Sequence, residues 1–298
     1  MPRKVRSGII GLGNWGKNVA RELDAASDLV AIATRSSSGH EAWLAEHLPG
    51  VRRTTSERIV EDDTIEAVAI VTPIPVLSKL AHTALSAGKH TFVEKPLAQS
   101  SEAAELLADL AAQRGLILAA GYVFLYHPVY LELKRRVQFQ AVRAVKLEWR
   151  KFGTFVEPIE QSLLTHHLSL VLDLLGEPES GRISYGPGRY SECDMLETRL
   201  RYGTFDATSV INRASPGTAH RMTLDMSDGN SLIWEGNLLT VVDERGNPTV
   251  VYDDSRPPLA AEIARFVSAV AGGDPKLPTG GRFAAEVLRL LERIRAAK

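Results

Sequence analysis

The sequence predicts a mixed α/β chain whose first part forms a doubly wound parallel sheet and whose second part is built on successive antiparallel strands. Three observations support this. Over the first 120 residues, short β-branched runs alternate with helical patterns, as parallel βαβ units do. After Pro128 that grammar gives way to strands separated by turn pairs such as Asp228-Gly229. With 298 residues the chain also exceeds a usual single domain, so two domains are expected, at 1–121 and 122–298.

In the first part, strands are expected at 5–10, 29–34, 67–71, 90–93 and 116–120, with a weaker one at 51–54. Between them, helical spacing of apolar residues predicts helices at 14–25, 41–47, 76–87 and 101–114. The second part opens with a helix from Pro128 to about Arg136 and a strand over 141–149. An irregular stretch holding Gly153 and Pro158 precedes a helix over 162–175, which Gly176 and Pro178 stop. Strands follow at 195–201, 204–212, 222–226, 231–235 and 238–242. Two closing helices, 259–271 and 282–296, have apolar faces that suit packing back on the first domain.

Composition narrows the function. Thirty-five basic residues against 36 acidic ones leave a net charge of -1, so no global field draws a polyanion or an anionic membrane, and no nucleic-acid role is expected. The compact basic run Lys134, Arg135 and Arg136 reads as a solvated helix face. A single cysteine, Cys193, allows no internal disulfide and no CxxC metal site, so no metal is expected and a reducing, cytoplasmic setting is the simpler expectation. The opening residues lack a signal-peptide core, and no apolar run is long enough to span a membrane.

The run GIIGLGNWGKNVAREL sets Gly11, Gly13 and Gly16 in GxGxxG register directly after a predicted strand and at the start of a predicted helix. In that context the first glycine permits a tight turn, the second lets backbone amides approach a pyrophosphate, and the third lets helix and strand touch. A Rossmann dinucleotide site is the expectation, with Leu12, Asn14 and Trp15 completing the turn. At the end of the second strand, where an NAD enzyme usually offers a carboxylate to the ribose, stand Thr34, Arg35 and Ser36. A guanidinium beside hydroxyls suits a 2′-phosphate, so NADP is expected in preference to NAD.

Residues 71–97, VTPIPVLSKLAHTALSAGKHTFVEKPL, together with the glycine motif, resemble the glucose-fructose oxidoreductase, inositol dehydrogenase and rhizopine-catabolism (Gfo/Idh/MocA) family. GYVFLYHP at 121–128, the helix HHLSLVLDLLG and the closing PLAAEIARFVSAVAGG extend the likeness over nearly the whole chain. The resemblance implies a Rossmann domain, then an α+β domain with a large, mostly antiparallel sheet whose open face serves a homo-oligomer, dimer or tetramer. It implies hydride transfer at sugar-like alcohols or carbonyls. Lys95 of Glu94-Lys95-Pro96, often preceding a cis bond, would lie beside the nicotinamide, and Thr72 and Pro73 would line the cofactor groove. NWGKN, LYHP and SLVLDLLG further resemble the nucleotide-sugar subset, which makes a nucleotide-linked or amino sugar the lead for the substrate.

Hydride transfer at an alcohol carbon needs a group that takes or returns the hydroxyl proton. Lys95 is the first candidate and His166, where the family motif places a histidine, is the second. The family's aspartate one turn earlier is replaced by Ser162, and Ser162, His166, Ser169 and Asp173 would form one polar stripe at helical spacing. His167 stands where relatives often carry an acid, and Tyr126 and His127 could face substrate, so these three and Ser162 are the candidate substrate contacts. Ile74 and Leu77 replace polar residues of relatives and suggest a more apolar cofactor groove. Without a carboxylate beside His166, ketone reduction by NADPH fits better than alcohol oxidation. The competing reading is a catalytically silent dinucleotide-binding regulator or scaffold.

Overall fold

The computed structural model describes residues 4–35 and 39–297, which divide into two compact units. One holds the described residues through Val123 together with 259–288, and the other holds 124–258 with the described residues from 289 onward.

The first unit alternates strand and helix: β1 (Arg6–Ile10), α1 (Asn14–Ala26), β2 (Asp28–Ala33), α2 (Glu41–His47), β3 (Arg52–Thr54), α3 (Ser56–Glu61), β4 (Ala67–Ile70), α4 (Ile74–Ser86), β5 (His90–Val93), α5 (Ser101–Gln113) and β6 (Leu118–Ala120). Its six strands are all parallel, in the order β3-β2-β1-β4-β5-β6. Strands of such a sheet are covered on both faces, and accordingly every residue of β4 is buried. Order reverses between β1 and β4, so the crevice beyond their carboxyl ends is where a doubly wound sheet receives a ligand. Two expectations shift: α4 starts at Ile74 because Pro73 and Pro75 suit a helix N-terminus, and the short helix α3 escaped notice for want of a long apolar pattern.

The second unit contains α6 (Pro128–Arg136), β7 (Val142–Phe152), α7 (Thr165–Leu175), β8 (Ser180–Tyr185), β9 (Met195–Tyr202), β10 (Phe205–Asn212), β11 (Ala214–Met226), β12 (Ser231–Glu235), β13 (Leu238–Val242) and β14 (Pro248–Asp253). They form one sheet in the order β14-β13-β12-β11-β7-β10-β9-β8, antiparallel except for the parallel pair β7 and β10. The edge strands β8 and β14 and the first half of β11 were not expected, because their exposed residues weaken the alternation. One face meets α6 and α7 through residues such as Trp149 and Trp234. The other alternates charge, pairing Lys146 with Asp225 at 3.0 Å and Arg221 with Glu235 at 2.6 Å, and exposes Phe152, Met195 and Val210.

Two helices close the chain, α8 (Pro258–Val270) and α9 (Gly281–Ala296). In the first unit Phe266 of α8 meets Phe92 of β5 at 5.9 Å, and Phe283 of α9 meets Tyr122 edge-on at 6.1 Å.

At one end of the second sheet, Arg213 is 97% shielded by protein, with 3% of its surface exposed, and ties two loops together. It donates to the carbonyls of Thr154 and Glu157, both at 2.6 Å, and to Ser191 Oγ and the Cys193 carbonyl. Its guanidinium lies 3.9 Å from Asp194, which in turn accepts the backbone N–H groups of Arg189 and Tyr190. Removing one partner of a buried pair strands the other charge. Arg213→Ala should therefore cost about 3 kcal/mol or more of unfolding free energy in denaturant titration; a loss below about 1 kcal/mol would refute this role.

Candidate functional site

The candidate residues of the first unit collect at the carboxyl edge of the parallel sheet. Gly11 follows β1 with φ +104° and gives its N–H to the carbonyl of Ala33 at 2.8 Å. A Cβ on it would come within 2.0 Å of the Val71 carbonyl oxygen, and one on Gly16 within 2.4 Å of the Gly11 carbonyl oxygen. A Cβ on Gly13 would meet nothing within 4 Å. Two glycines thus allow backbone to touch backbone, while the third faces open space at the N-cap of α1. No side chain caps this helix and its first turn carries no acid, so its N–H groups and positive end are available to an anion. Leu12 is buried, whereas Asn14 and Trp15 are exposed. This cradle fits a dinucleotide's diphosphate.

Beyond β2, Thr34 is half-buried and Arg35 exposed, while Ser36 lies outside the described residues. The structure adds residues that the sequence reading missed. A cavity of about 200 Å³ is lined by Ile32, Thr34, His40, Leu44, Arg53 and Thr54. Arg53 pairs with Glu41 at 3.4 Å, and His40 Nδ1 is buried with no partner among the described residues. Arg53 comes from β3, about 40 residues after the glycines and beyond the window in which a ribose reader is normally sought.

Beyond β4, Thr72 Oγ1 is buried and lacks a partner among the described residues, and Pro73 caps α4. Ile74 and Leu77 are 4% and 1% exposed and face the interior, so they fill the core rather than line an open groove. Beyond β5, the buried Glu94 carboxylate accepts the indole N–H of Trp15 and the backbone N–H of Lys95, the latter at 3.1 Å. The first contact links residues 79 apart, from the glycine turn to the end of β5. Lys95 is half-buried, and the bond to the buried Pro96 is cis. Gly121 is needed here too, since a Cβ on it would come within 2.7 Å of the Glu94 carboxylate.

In the second unit His166 is 7% exposed, its ring packed edge-on against Phe124 at 5.1 Å and tilted against Trp149 at 5.5 Å. His220 of β11 stacks on Phe124 at 4.3 Å and meets Trp149 at 4.8 Å. This box of aromatic and imidazole rings was not expected, because its members are 96 residues apart in sequence, from Phe124 to His220. A π turn, Glu160–Leu164, precedes α7 where a plain α-helix was expected. Ser162 lies in it and gives its hydroxyl proton to the Pro158 carbonyl at 2.9 Å. The expected polar stripe is divided among separate partners: Ser169 donates to the His166 carbonyl, and Asp173 accepts from Tyr130 and Lys134.

Two of the expected substrate contacts hold partners within the protein. His167 is 1% exposed, with Nδ1 2.7 Å from Ser209 Oγ, because its side of α7 is packed against the sheet. His127 accepts the Val129 N–H at 3.3 Å through Nδ1 and so caps α6. Tyr126 is also largely buried. Burial, then His220, holds His167 well below the usual imidazole range; burial, then His127, takes His220 down to about 4.

A profile of the oxidoreductase family with an NAD-binding Rossmann fold matches residues 5–122. Scyllo-inositol 2-dehydrogenase (NAD(+)) of Bacillus subtilis is 31% identical, over 94% of this chain and 90% of the relative. UDP-N-acetylglucosamine 3-dehydrogenase of Acidithiobacillus ferrooxidans is 28% identical, over 91% of this chain and 90% of that one. A solved structure of the latter aligns with a TM-score of 0.88 at 27% identity, covering 100% of this chain and 98% of that chain. A dTDP-3,4-didehydro-2,6-dideoxy-alpha-D-glucose 3-reductase of Streptomyces violaceoruber is 33% identical, over 48% of this chain and 43% of its own.

The two kinds of glycine should respond differently to a methyl group. Gly11→Ala should cost about 2 kcal/mol or more in stability and abolish dinucleotide binding. Gly13→Ala should leave stability within about 1 kcal/mol yet weaken binding about tenfold or more, measured by calorimetry. Equal effects would refute the division of roles. Because His220 titrates near 4 in the fold against 6.5 when exposed, stability should fall as pH drops through that window, by up to about 3 kcal/mol. In urea titrations His220→Phe should flatten this acid slope, and an unchanged slope would contradict it.

Proposed function

This chain belongs to the Gfo/Idh/MocA family of oxidoreductases with an NAD-binding Rossmann fold, and from that premise we propose that it is an NADP(H)-dependent sugar oxidoreductase. Its substrate is proposed to be a sugar or sugar derivative, with a nucleotide-linked sugar ketone as the leading case. The observation that carries the reading is the division among the three glycines, two pressed against backbone and one open at an uncapped helix end.

NADP over NAD is supported by Arg35 and Arg53 near the cavity beyond β2, with no carboxylate at the end of that strand. Glu41 is already paired with Arg53. A guanidinium binds a 2′-phosphate through charge-assisted hydrogen bonds that a 2′-hydroxyl does not match. The nucleotide-sugar lead is supported by relatives whose names specify UDP- and dTDP-sugars.

When bound, the nicotinamide supplies or accepts the hydride. Lys95 is assigned the proton: as an ammonium it donates to a carbonyl oxygen being reduced, and as an amine it accepts from a hydroxyl being oxidised. Glu94, fixed by Trp15 and the Lys95 backbone, sets the charge next to it. In the second unit the Phe124 and Trp149 rings offer apolar faces of the kind on which sugar C–H groups pack, and His166 between them offers a polar edge. An uncharged hydroxyl, Ser162, stands one turn before His166 where a carboxylate would raise its basicity, which fits reduction better than oxidation.

Calorimetry should show NADPH bound more tightly than NADH, with Arg35→Ala and Arg53→Ala each narrowing the difference about tenfold. Equal affinity for both cofactors would dismiss the 2′-phosphate assignment. With a 3-keto nucleotide sugar and NADPH, Lys95→Ala should slow turnover about 10²- to 10⁴-fold; unchanged turnover removes Lys95 from the chemistry. No turnover of any sugar by the unsubstituted chain would favour a silent regulator.

A further inference from the structure

One buried acid has no part in the roles assigned above. Glu262 on α8 is 1% exposed, and neither carboxyl oxygen has a hydrogen-bond partner among the described residues. An ionised carboxylate in such a place is costly, and burial, followed by the charge of Glu94, holds Glu262 protonated well above the usual carboxylate range. An acid kept in this way lowers stability near neutral pH, a cost that function commonly accounts for.

Phe266, four residues beyond Glu262 on the same face of α8, packs on Phe92 of β5. Glu94 follows two residues after Phe92, just past the end of β5, so this contact links the helix turn of Glu262 to the strand end that carries Glu94, whose charge is felt at Glu262. Glu94 accepts two N–H donors and is the ionised member; Glu262, with none, is the neutral one. The groups adjoining the pair are Lys95, next to Glu94 in the chain, and the buried phenol of Tyr122, which also feels Glu94.

We propose that Glu262 is a proton-linked positioning residue, forming with Glu94 a two-carboxyl cluster that carries one negative charge against a neutral nicotinamide and two against a cationic one. The inference rests on the reading that Lys95 lies beside the nicotinamide. The step involves no redox change in the protein: the O–H bond of Glu262 breaks, its electrons stay on the carboxylate, and the proton passes to solvent. The cluster thereby matches the charge of the ring on either side of hydride transfer and steadies the field at Lys95.

The test is calorimetric titration of the chain with NADP⁺ and with NADPH at about pH 8, each in two buffers of different ionisation enthalpy, which counts protons exchanged on binding. NADP⁺ should release more protons than NADPH, by up to about one. Glu262→Gln should bind both forms and abolish the difference, whereas Lys95→Met should keep it. Equal counts in the unsubstituted chain, or a difference that survives Glu262→Gln, overturns the proposal while leaving the oxidoreductase reading intact. Failure of either form to bind overturns both. The unsubstituted comparison stands even if the variant does not fold. As a second measurement, thermal unfolding of Glu262→Gln should lack the stability loss that the unsubstituted chain shows as pH rises above 4.5, the ordinary value of this carboxyl.

Discussion

Everything at the carboxyl edge of the parallel sheet depends on one close approach, the α-carbon of Gly11 against the carbonyl of Val71. It is possible only without a side chain, and it draws the ends of β1 and β4 together at the point where strand order reverses. Gly16 repeats the device from the helix side, pressing α1 onto the Gly11 carbonyl. With both contacts made, α1 starts where the strand ends, and Gly13 leaves its positive end uncovered. The turn is held by these two backbone contacts and open above Gly13, which is what a backbone anion site requires.

Charge is arranged around that turn with few spare groups. Trp15, which a helix start could have left idle, reaches Glu94 and fixes the carboxylate beside Lys95. Glu262, buried and with no hydrogen-bond partner among the described residues, is pushed toward its neutral form by burial and then by Glu94. The ring cluster of the second unit follows a similar rule. His167 and His220 are held uncharged by burial, which leaves Phe124, Trp149 and His166 in apolar surroundings. In such a setting each remaining polar edge counts for more than it would in water.

What was legible in the sequence was local. The βαβ alternation, the glycine turn and the EKP segment each lie within a short window, where periodicity or a motif carries the signal. The order of the eight-stranded sheet, with its parallel β7 and β10, rests on long-range pairing that no window contains. The same limit hid Arg53, His220, Gly121 and Glu262, whose roles come from partners far along the chain. The partners of His167 were hidden for a different reason. Helical spacing gave its direction but not what lay there, and the sheet and Ser209 occupy that side. Ser162 stands at the family's aspartate position, yet it sits in a π turn whose backbone takes up its hydroxyl.

The most direct test of the central claim is a crystal structure with NADPH diffused in. The account predicts diphosphate oxygens within hydrogen-bond reach of the N–H groups between Gly13 and Gly16, passing over the open face of Gly13. A dinucleotide bound away from that turn, or a diphosphate held by side chains alone, would contradict it.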